Sequence, residues 1–247
     1  MDVLGIDIGG SGIKGAPVDT DNGRLLCERL RIGTPQPSTP DAVIETVREL
    51  LAHFAWRGPV GCTMPAIVKA GVTRSAANID DGWVDFPVEK SLRARTGCPL
   101  LVSNDADAAG IAEMTFGAGK DHQGLVLILT LGTGIGSSLF YRGVLVPNSE
   151  LGHVEIRGRE AEKWTANVVR KRKKLKWKEW GSRLDYYLAH LEFLFSPDLI
   201  ILGGGVSRRF ARFSPYLTLE TKVVPAALRN DAGMIGAALA ARSLVDD

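Results

Sequence analysis

The chain opens with Val3-Leu4-Gly5-Ile6-Asp7-Ile8-Gly9-Gly10-Ser11-Gly12-Ile13-Lys14-Gly15. Val3 to Ile8 is short, apolar and rich in β-branched residues, and it ends in glycine. That pattern predicts a buried strand followed by a tight turn. Ile13 to Val18 predicts a second strand. Asp21-Asn22-Gly23 is a hairpin turn leading to a third, Leu25 to Ile32. A strand, not a helix, follows the glycine turn, so this is not a Rossmann fingerprint. GxxxxGK[ST] is absent, so it is not a Walker loop either.

The same pattern recurs. Leu125 to Leu131 is a continuous apolar run, Gly132 to Gly136 a turn, and Ser137 to Tyr141 a returning strand. Two such units suggest two related halves. The boundary is expected near residue 108, giving domains of 1–108 and 109–231, with a small-residue helix at 232–247 packing back on the first. Between these landmarks, Val43, Val47, Leu50, Leu51 and Phe54 share one helical face. Strands are predicted at Val60–Met64 and Ile67–Val72, on either side of Pro65, and at Leu100–Val102. A helix is predicted at Asp105–Phe116. Another is predicted at Leu184–Phe195, where Leu184, Leu188, Leu191 and Phe195 align. Leu199–Leu202 reads as a strand, Gly203-Gly204-Gly205 as a turn, Val206–Phe213 as a short helix, and Ala232–Leu244 as the closing helix.

The chain has 247 residues, 45% of them hydrophobic. A chain of that length buries roughly three quarters of its unfolded surface, and its apolar content excludes wholesale disorder. Cys27, Cys62 and Cys98 are too scattered for a disulfide framework or a CxxC metal site, which suits a reducing cytosol. The first ten residues lack a basic n-region, so no signal peptide is expected. No apolar run approaches the roughly 18 residues of a membrane helix. A cytoplasmic protein without membrane or nucleic-acid partners is the expectation. The formal net charge of +2, from 30 Lys and Arg against 28 Asp and Glu, supports it.

Glycine turns admit backbone N–H groups close to an anion. Gly9, Gly10, Ser11 and Lys14 form one candidate phosphate cradle; Gly132, Thr133 and Gly134 form another. Asp7, at a strand end, is a candidate to hold Mg²⁺ through water, because Mg²⁺ favours one or two carboxylates plus phosphate oxygens. Each turn taken alone is equally well an ordinary tight hairpin; two alike in one chain favour the cradle.

Asp7-Ile8-Gly9-Gly10 with Lys14, Asn104-Asp105, Leu131-Gly132-Thr133-Gly134-Ile135-Gly136, Glu150-Leu151-Gly152-His153 and Leu202-Gly203-Gly204-Gly205 together resemble the ordered motifs of the ROK sugar kinases. Val144-Leu145-Val146-Pro147-Asn148, Pro197-Asp198-Leu199-Ile200, Val223-Val224-Pro225-Ala226 and Asn230-Asp231-Ala232-Gly233 resemble the polyphosphate glucokinase subgroup. The resemblance runs from about residue 3 to 242. It implies an α/β, two-domain actin-like (ribonuclease H-like) ATPase fold, with mixed sheets opened by β-hairpins. It also implies phosphoryl transfer from inorganic polyphosphate, with ATP as a further donor, to the 6-hydroxyl of glucose, Mg²⁺ as cofactor, and a homodimer. The alternative is a strictly ATP-dependent hexokinase for glucose, mannose or a related sugar. A sugar-responsive repressor of the same family is not expected, because the first strand begins at residue 3 and leaves no room for a helix-turn-helix.

Asp105 follows a short strand and precedes a helix, where an N-cap would sit. By resemblance it is the general base and Asn104 a sugar ligand; transfer to a sugar hydroxyl requires a base that accepts its proton. Asp107, further along the helix, is expected to face solvent. By resemblance Glu150 and His153 also bind sugar hydroxyls, Glu162 matches a later sugar-binding Glu, and Asn78 lies near the sugar. Gly203, Gly204 and Gly205 resemble an adenosine-side motif. Many ROK proteins follow the Gly-His motif with a zinc-binding cysteine cluster. Residues 154–175 contain no Cys, so no zinc is expected and His153 is not read as a metal ligand.

Residues 157–178 carry ten basic and two acidic side chains, a charge of +8 against −6 on the rest of the chain. A solvated face and a nucleic-acid patch are the generic readings. Beside the sugar motif a third reading arises: Arg170, Lys171, Arg172, Lys173 and Lys174, within a run reaching Lys178, guide a polyphosphate tail. Such a polyanion is held by counterion release, with affinity that falls as salt rises.

Overall fold

β1 (Asp2–Gly9) and β2 (Gly12–Asp19) form the opening hairpin in a computed structural model describing residues 1–76 and 79–244. They pair antiparallel from Asp2↔Asp19 to Gly9↔Gly12. The predicted third strand is split into β3 (Arg24–Leu25) and β4 (Leu30–Ile32), both on β2. Pro17 is the reason. The Leu26 N–H donates to the Pro17 carbonyl at 2.9 Å. Residues opposed across an antiparallel ladder exchange two bonds, but proline has no N–H to return. The ladder therefore opens until Gly15↔Leu30 resumes it.

α1 (Pro40–His53) starts at Thr39, whose Oγ1 accepts the Ala42 N–H at 3.4 Å. β5 (Val60–Met64) follows. The predicted strand 67–72 is instead a small hairpin, β6 (Val68–Lys69) and β7 (Val72–Thr73), because Ala70 and Gly71 both take positive φ, 49° and 72°. That is the geometry of the tightest hairpin turns. α2 (Val88–Thr96) was not foreseen. Its signals are an i,i+4 Glu89–Arg93 ion pair and a left-handed Gly97 behind it, and few apolar residues mark it. β8 (Leu100–Asn104) runs directly into α3 (Asp105–Phe116).

β9 (Leu125–Leu131), β10 (Ile135–Tyr141) and β11 (Val144–Val146) form an antiparallel meander. A short hairpin, β12 (Glu155–Ile156) and β13 (Arg159–Glu160), precedes α4 (Glu162–Thr165) and α5 (Asn167–Arg172). α6 spans Trp177–Phe195, seven residues earlier than predicted. Its first two turns hold only Trp177 and Trp180 as large apolar residues, and Trp180 lies four residues before Leu184 on the buried face. β14 (Leu199–Gly203) leads to a 3-10 helix at Gly205–Arg212, where a short helix was expected. β15 (Lys222–Pro225) and α7 (Ala232–Ala241) follow, and a 3-10 turn, Arg242–Leu244, ends the described chain.

The chain divides into two compact units. One comprises Met1–Ala112 and the segment from Asp231; the other is Glu113–Asn230. In the first, the sheet order is β3-β2-β1-β5-β8, with β4 also on β2. In the second it is β11-β10-β9-β14-β15. Each sheet is thus an antiparallel hairpin continued by two parallel strands, the topology behind the two similar sequence units.

In the first unit, Leu4, Ile6, Val60, Cys62 and Met64 are buried with Val47 and Leu50 of α1. Alternate residues of β1 and β5 face the other way, against α7. There Gly5 and Gly61 let α7 approach closely: an added Cβ would lie 2.1 Å from the Met234 carbonyl oxygen and 1.9 Å from that of Ala237. In the second unit, Leu127, Leu129, Ile200 and Leu202 pack against Trp180, Leu184, Tyr187 and Leu188 of α6. Among the described residues, no helix is long and apolar enough to cross a membrane.

Candidate active site

In the first unit, strand register assembles one cluster. Asp7 lies opposite Lys14 on β2 and opposite Thr63 on β5. All three side chains therefore leave the sheet on the α7 face. Lys14 Nζ pairs with Asp7 Oδ2 at 2.7 Å, and Thr63 Oγ1 donates to Asp7 Oδ1 at 3.1 Å while accepting the Ile8 N–H at 3.2 Å. Gly233 of α7 stands against the Asp7 carboxylate, leaving no room for a side chain there. Both carboxylate oxygens already have a donor, and each keeps a lone pair. That fits a divalent cation held through water better than one bound directly. Gly9, Gly10 and Ser11 form the turn beside this cluster, with Gly10 and Ser11 exposed and Gly9 partly buried.

Asn104, not Asp105, caps α3. Its Oδ1 accepts the N–H groups of Ala106 at 2.8 Å and Asp107 at 3.0 Å, the N2 and N3 positions. The chain is still extended at Asn104 and already helical at Asp105, which is why the cap falls one residue earlier than the sequence suggests. Asn104 Nδ2 donates to the Ala66 carbonyl at 3.1 Å. One amide hydrogen is left for a ligand. Asp105 is half-buried at the first helical position, and its Oδ1 lies 2.8 Å from the Ala106 nitrogen. Asp107 does not face solvent: it is 3% exposed, because the first turn of α3 is covered on that side. Asn78 lies outside the described residues.

In the second unit, Glu150 precedes and His153 ends a single 3-10 turn, Leu151–His153. Ser137 Oγ donates to the Ser149 carbonyl at 2.7 Å and accepts the Leu151 N–H at 2.9 Å; the Tyr187 hydroxyl donates to the Leu151 carbonyl at 3.0 Å. Gly152 packs on the Ile135 carbonyl with no space for a Cβ. Burial raises the Glu150 pKa above the ordinary glutamate value; His153 opposes the shift and Glu162 adds to it. Burial, with Glu162 nearby, also raises that of Tyr187.

Glu160 is the member the sequence did not reveal. The β12–β13 hairpin carries it to 3.5 Å from His153 Nδ1, and Lys163 pairs with it at 2.9 Å. Lys163 chiefly, with His153, lowers its pKa. No motif marks it, because a two-residue strand leaves no periodic trace. His153, Glu160 and Glu162 each bring one ligand atom within 4.8 Å of the others. The two carboxylates already have partners, since Glu162 Oε2 accepts the Ile135 N–H at 3.1 Å.

That last bond joins Glu162 to the second glycine turn. Glu162 Oε2 occupies the space a Cβ on Gly134 would need. From the other side, the Val168 N–H of α5 donates to the Gly132 carbonyl at 3.1 Å. The basic run therefore begins where the Gly132–Gly134 turn ends. Arg170 is committed to the protein: its guanidinium stacks 4.0 Å over the Trp177 ring and donates to Asn167 Oδ1 at 3.2 Å. Lys171, Arg172, Lys173 and Lys174 are exposed. Gly203 ends β14 facing Thr130, and Gly204, at φ 77°, presses on the Leu131 backbone. Gly205 is exposed and open.

The ROK family profile matches residues 3–171. A polyphosphate glucokinase of Mycobacterium tuberculosis is 47% identical over 238 residues, covering 96% of this chain and 90% of the relative. The crystal structure of an inorganic polyphosphate/ATP-glucomannokinase from Arthrobacter sp. strain KM superposes with a TM-score of 0.94 at 49% identity, covering 98% of each chain. A ROK family glucokinase from Streptomyces griseus, solved with glucose and AMPPNP, superposes with a TM-score of 0.85 at 24% identity over 98% of this chain and 100% of that one.

Proposed function

The chain belongs to the ROK family, and on that premise we propose that it is a polyphosphate glucokinase of actin-like fold. It transfers the terminal phosphoryl group of inorganic polyphosphate to the 6-hydroxyl of glucose, and uses ATP as a second donor. The observation that carries the polymeric donor is the Val168–Gly132 bond. It starts an exposed run of four cations, Lys171 to Lys174, directly at a glycine phosphate turn.

Asp105 acts as general base. As the sugar oxygen attacks the terminal phosphorus, its proton passes to the Asp105 carboxylate. The P–O bond to the donor breaks, releasing a polyphosphate one unit shorter. Positioning and charge stabilisation supply most of the acceleration in such transfers. Asn104 offers its remaining amide hydrogen to a sugar oxygen. Glu150 and His153 bind other hydroxyls, Glu150 with a carboxyl that protonates more readily than usual. Glu162 holds the Gly134 turn through Ile135 and contributes to the sugar side. Gly9, Gly10, Ser11, Lys14, Gly132, Thr133 and Gly134 receive phosphate oxygens, and Gly203 to Gly205 the nucleotide. Asp7 would hold Mg²⁺ through water, and that ion would offset charge on the phosphate oxygens.

The protein acts in the cytoplasm as a homodimer on this reading. Val144 and Phe193, 69% and 84% exposed, are apolar surface of the kind a second copy covers.

The test is glucose phosphorylation assayed side by side with long-chain polyphosphate and with ATP, with mannose as a second acceptor. Turnover with polyphosphate supports the reading. Turnover with ATP alone assigns the chain to strictly ATP-dependent hexokinases.

A further inference from the structure

A second basic run lies outside the strip already described. The 3-10 helix Gly205–Arg212 carries Arg208, Arg209 and Arg212, all exposed. No Asp or Glu occurs from Gly205 to Leu219. Among the described residues, none of these arginines makes an ion pair, nor does any of Lys171, Arg172, Lys173 and Lys174. Lys163, by contrast, is neutralised by Glu160. An unpaired cation cluster is a cost in self-repulsion unless an anion offsets it.

Two features tie this run to the strip. First, both start from the same backbone. α5 is held by Val168 to Gly132, and the 3-10 helix follows Gly204, which presses on Leu131. Second, both stand on one aromatic stack. Arg170 lies over Trp177, Trp177 stacks on Phe213 at 6.2 Å with their planes 20° apart, and Phe213 meets Phe210 at 5.4 Å. Phe210 lies in the 3-10 segment and Phe213 directly follows it; Phe213 is buried and Phe210 partly so. Arg209 and Arg212 each precede one of these rings, as Lys176 precedes Trp177. The rings fix the spacing of the two runs, and the exposed cations flank them.

We propose that Arg208, Arg209 and Arg212 form a second bank of the polyphosphate site, which holds the distal part of a long donor chain together with Lys171 to Lys174. The proposal rests on the polyphosphate-donor reading above. A short donor ends before it reaches this bank. A long one adds phosphate contacts there, and each contact steepens the salt dependence by about 0.7 in the log–log slope expected of a single-stranded polyanion.

The experiment compares wild type with R208Q/R209Q/R212Q and with R208K/R209K/R212K. It measures KM for long-chain polyphosphate and for tetrapolyphosphate across a KCl series, with thermal melting as a check on folding. For the Gln variant the expected results are an unchanged melting temperature, a KM for the long donor raised about tenfold, and a log–log salt slope shallower by about 2. KM for tetrapolyphosphate stays near the wild-type value, and the Lys variant recovers the wild-type slope, because point charges suffice. A folded Gln variant with the wild-type long-chain KM and slope overturns the second bank. So does an equal rise in KM for both donors. A wild type that turns over ATP but no polyphosphate overturns the donor reading itself, and the second bank with it.

Discussion

Glu162 accepts the backbone N–H of Ile135 at 3.1 Å, so the glycine turn at 132–136 is closed by a side chain that lies 27 residues further on. The same carboxylate fills the space beside Gly134. Inside the turn the Gly132 N–H donates to the Gly134 carbonyl at 3.0 Å, and further support comes from outside it.

Glu162→Ala removes that support. The Ile135 N–H is left without its acceptor, a loss of about 1–3 kcal/mol. The expected result is a fall of about tenfold or more in kcat/KM, with KM for the phosphate donor rising more than KM for glucose. Glu162→Gln keeps an acceptor oxygen and is expected to retain most of the donor affinity. Steady-state kinetics with each substrate varied separately checks both.

Asp105→Asn keeps the size of the side chain and removes the base. Turnover is expected to fall about 10²- to 10⁴-fold, the usual contribution of a positioned base. Glucose binding, measured by calorimetry, is expected to persist, because Asn104 rather than Asp105 holds the start of α3. Near-normal turnover would remove Asp105 from its role.

Glu150 gives a stability effect of known sign. Burial raises its folded pKa above the reference 4.5. The folded state therefore takes up a proton more readily than the unfolded chain, and stability from this group grows as pH falls through the folded pKa. Above that pKa the buried charge is a penalty. Glu150→Gln is expected to raise Tm at neutral pH, with the gain shrinking as pH approaches 4.5, and to weaken glucose binding. Melting curves across that pH range decide it.

Gly61→Ala places a methyl group 1.9 Å from the Ala237 carbonyl oxygen, against helix backbone that cannot move locally. A loss above about 4 kcal/mol, or failure to fold, is expected. Gly33→Ala is the control: nothing lies within 4 Å of its added carbon. Urea unfolding of the two variants should differ sharply.

Much of the candidate site was legible because it sits on strand ends and turns. Asp7, Lys14, Gly132 to Gly136 and Asn104-Asp105 are each marked by a short apolar run that stops at a glycine or a polar pair. The register of the first hairpin follows from the turn that closes it, and that register alone places Lys14 opposite Asp7. What local pattern lacks is the partner from elsewhere in the chain. Thr63 reaches Asp7 only because β5 pairs parallel to β1 across 56 residues. Glu160 reaches His153 through a hairpin too short to leave a period. Asp107 looks like an exposed polar residue on a helix and is buried instead, since which face of α3 is covered is a tertiary matter.

The basic run shows the division most clearly. Its charge, its length and its unbalanced composition are properties of the sequence by itself, as are the fold family and the two-hairpin plan. Sequence could not distinguish Arg170, stacked on Trp177, from Lys171 to Lys174, exposed beside it. Nor could it show that Phe210 and Phe213, beside Arg209 and Arg212, join the aromatic stack under Arg170. Charge is additive along a chain, but whether a cation is engaged or open depends on which rings and carboxylates the fold brings within a few ångströms of it.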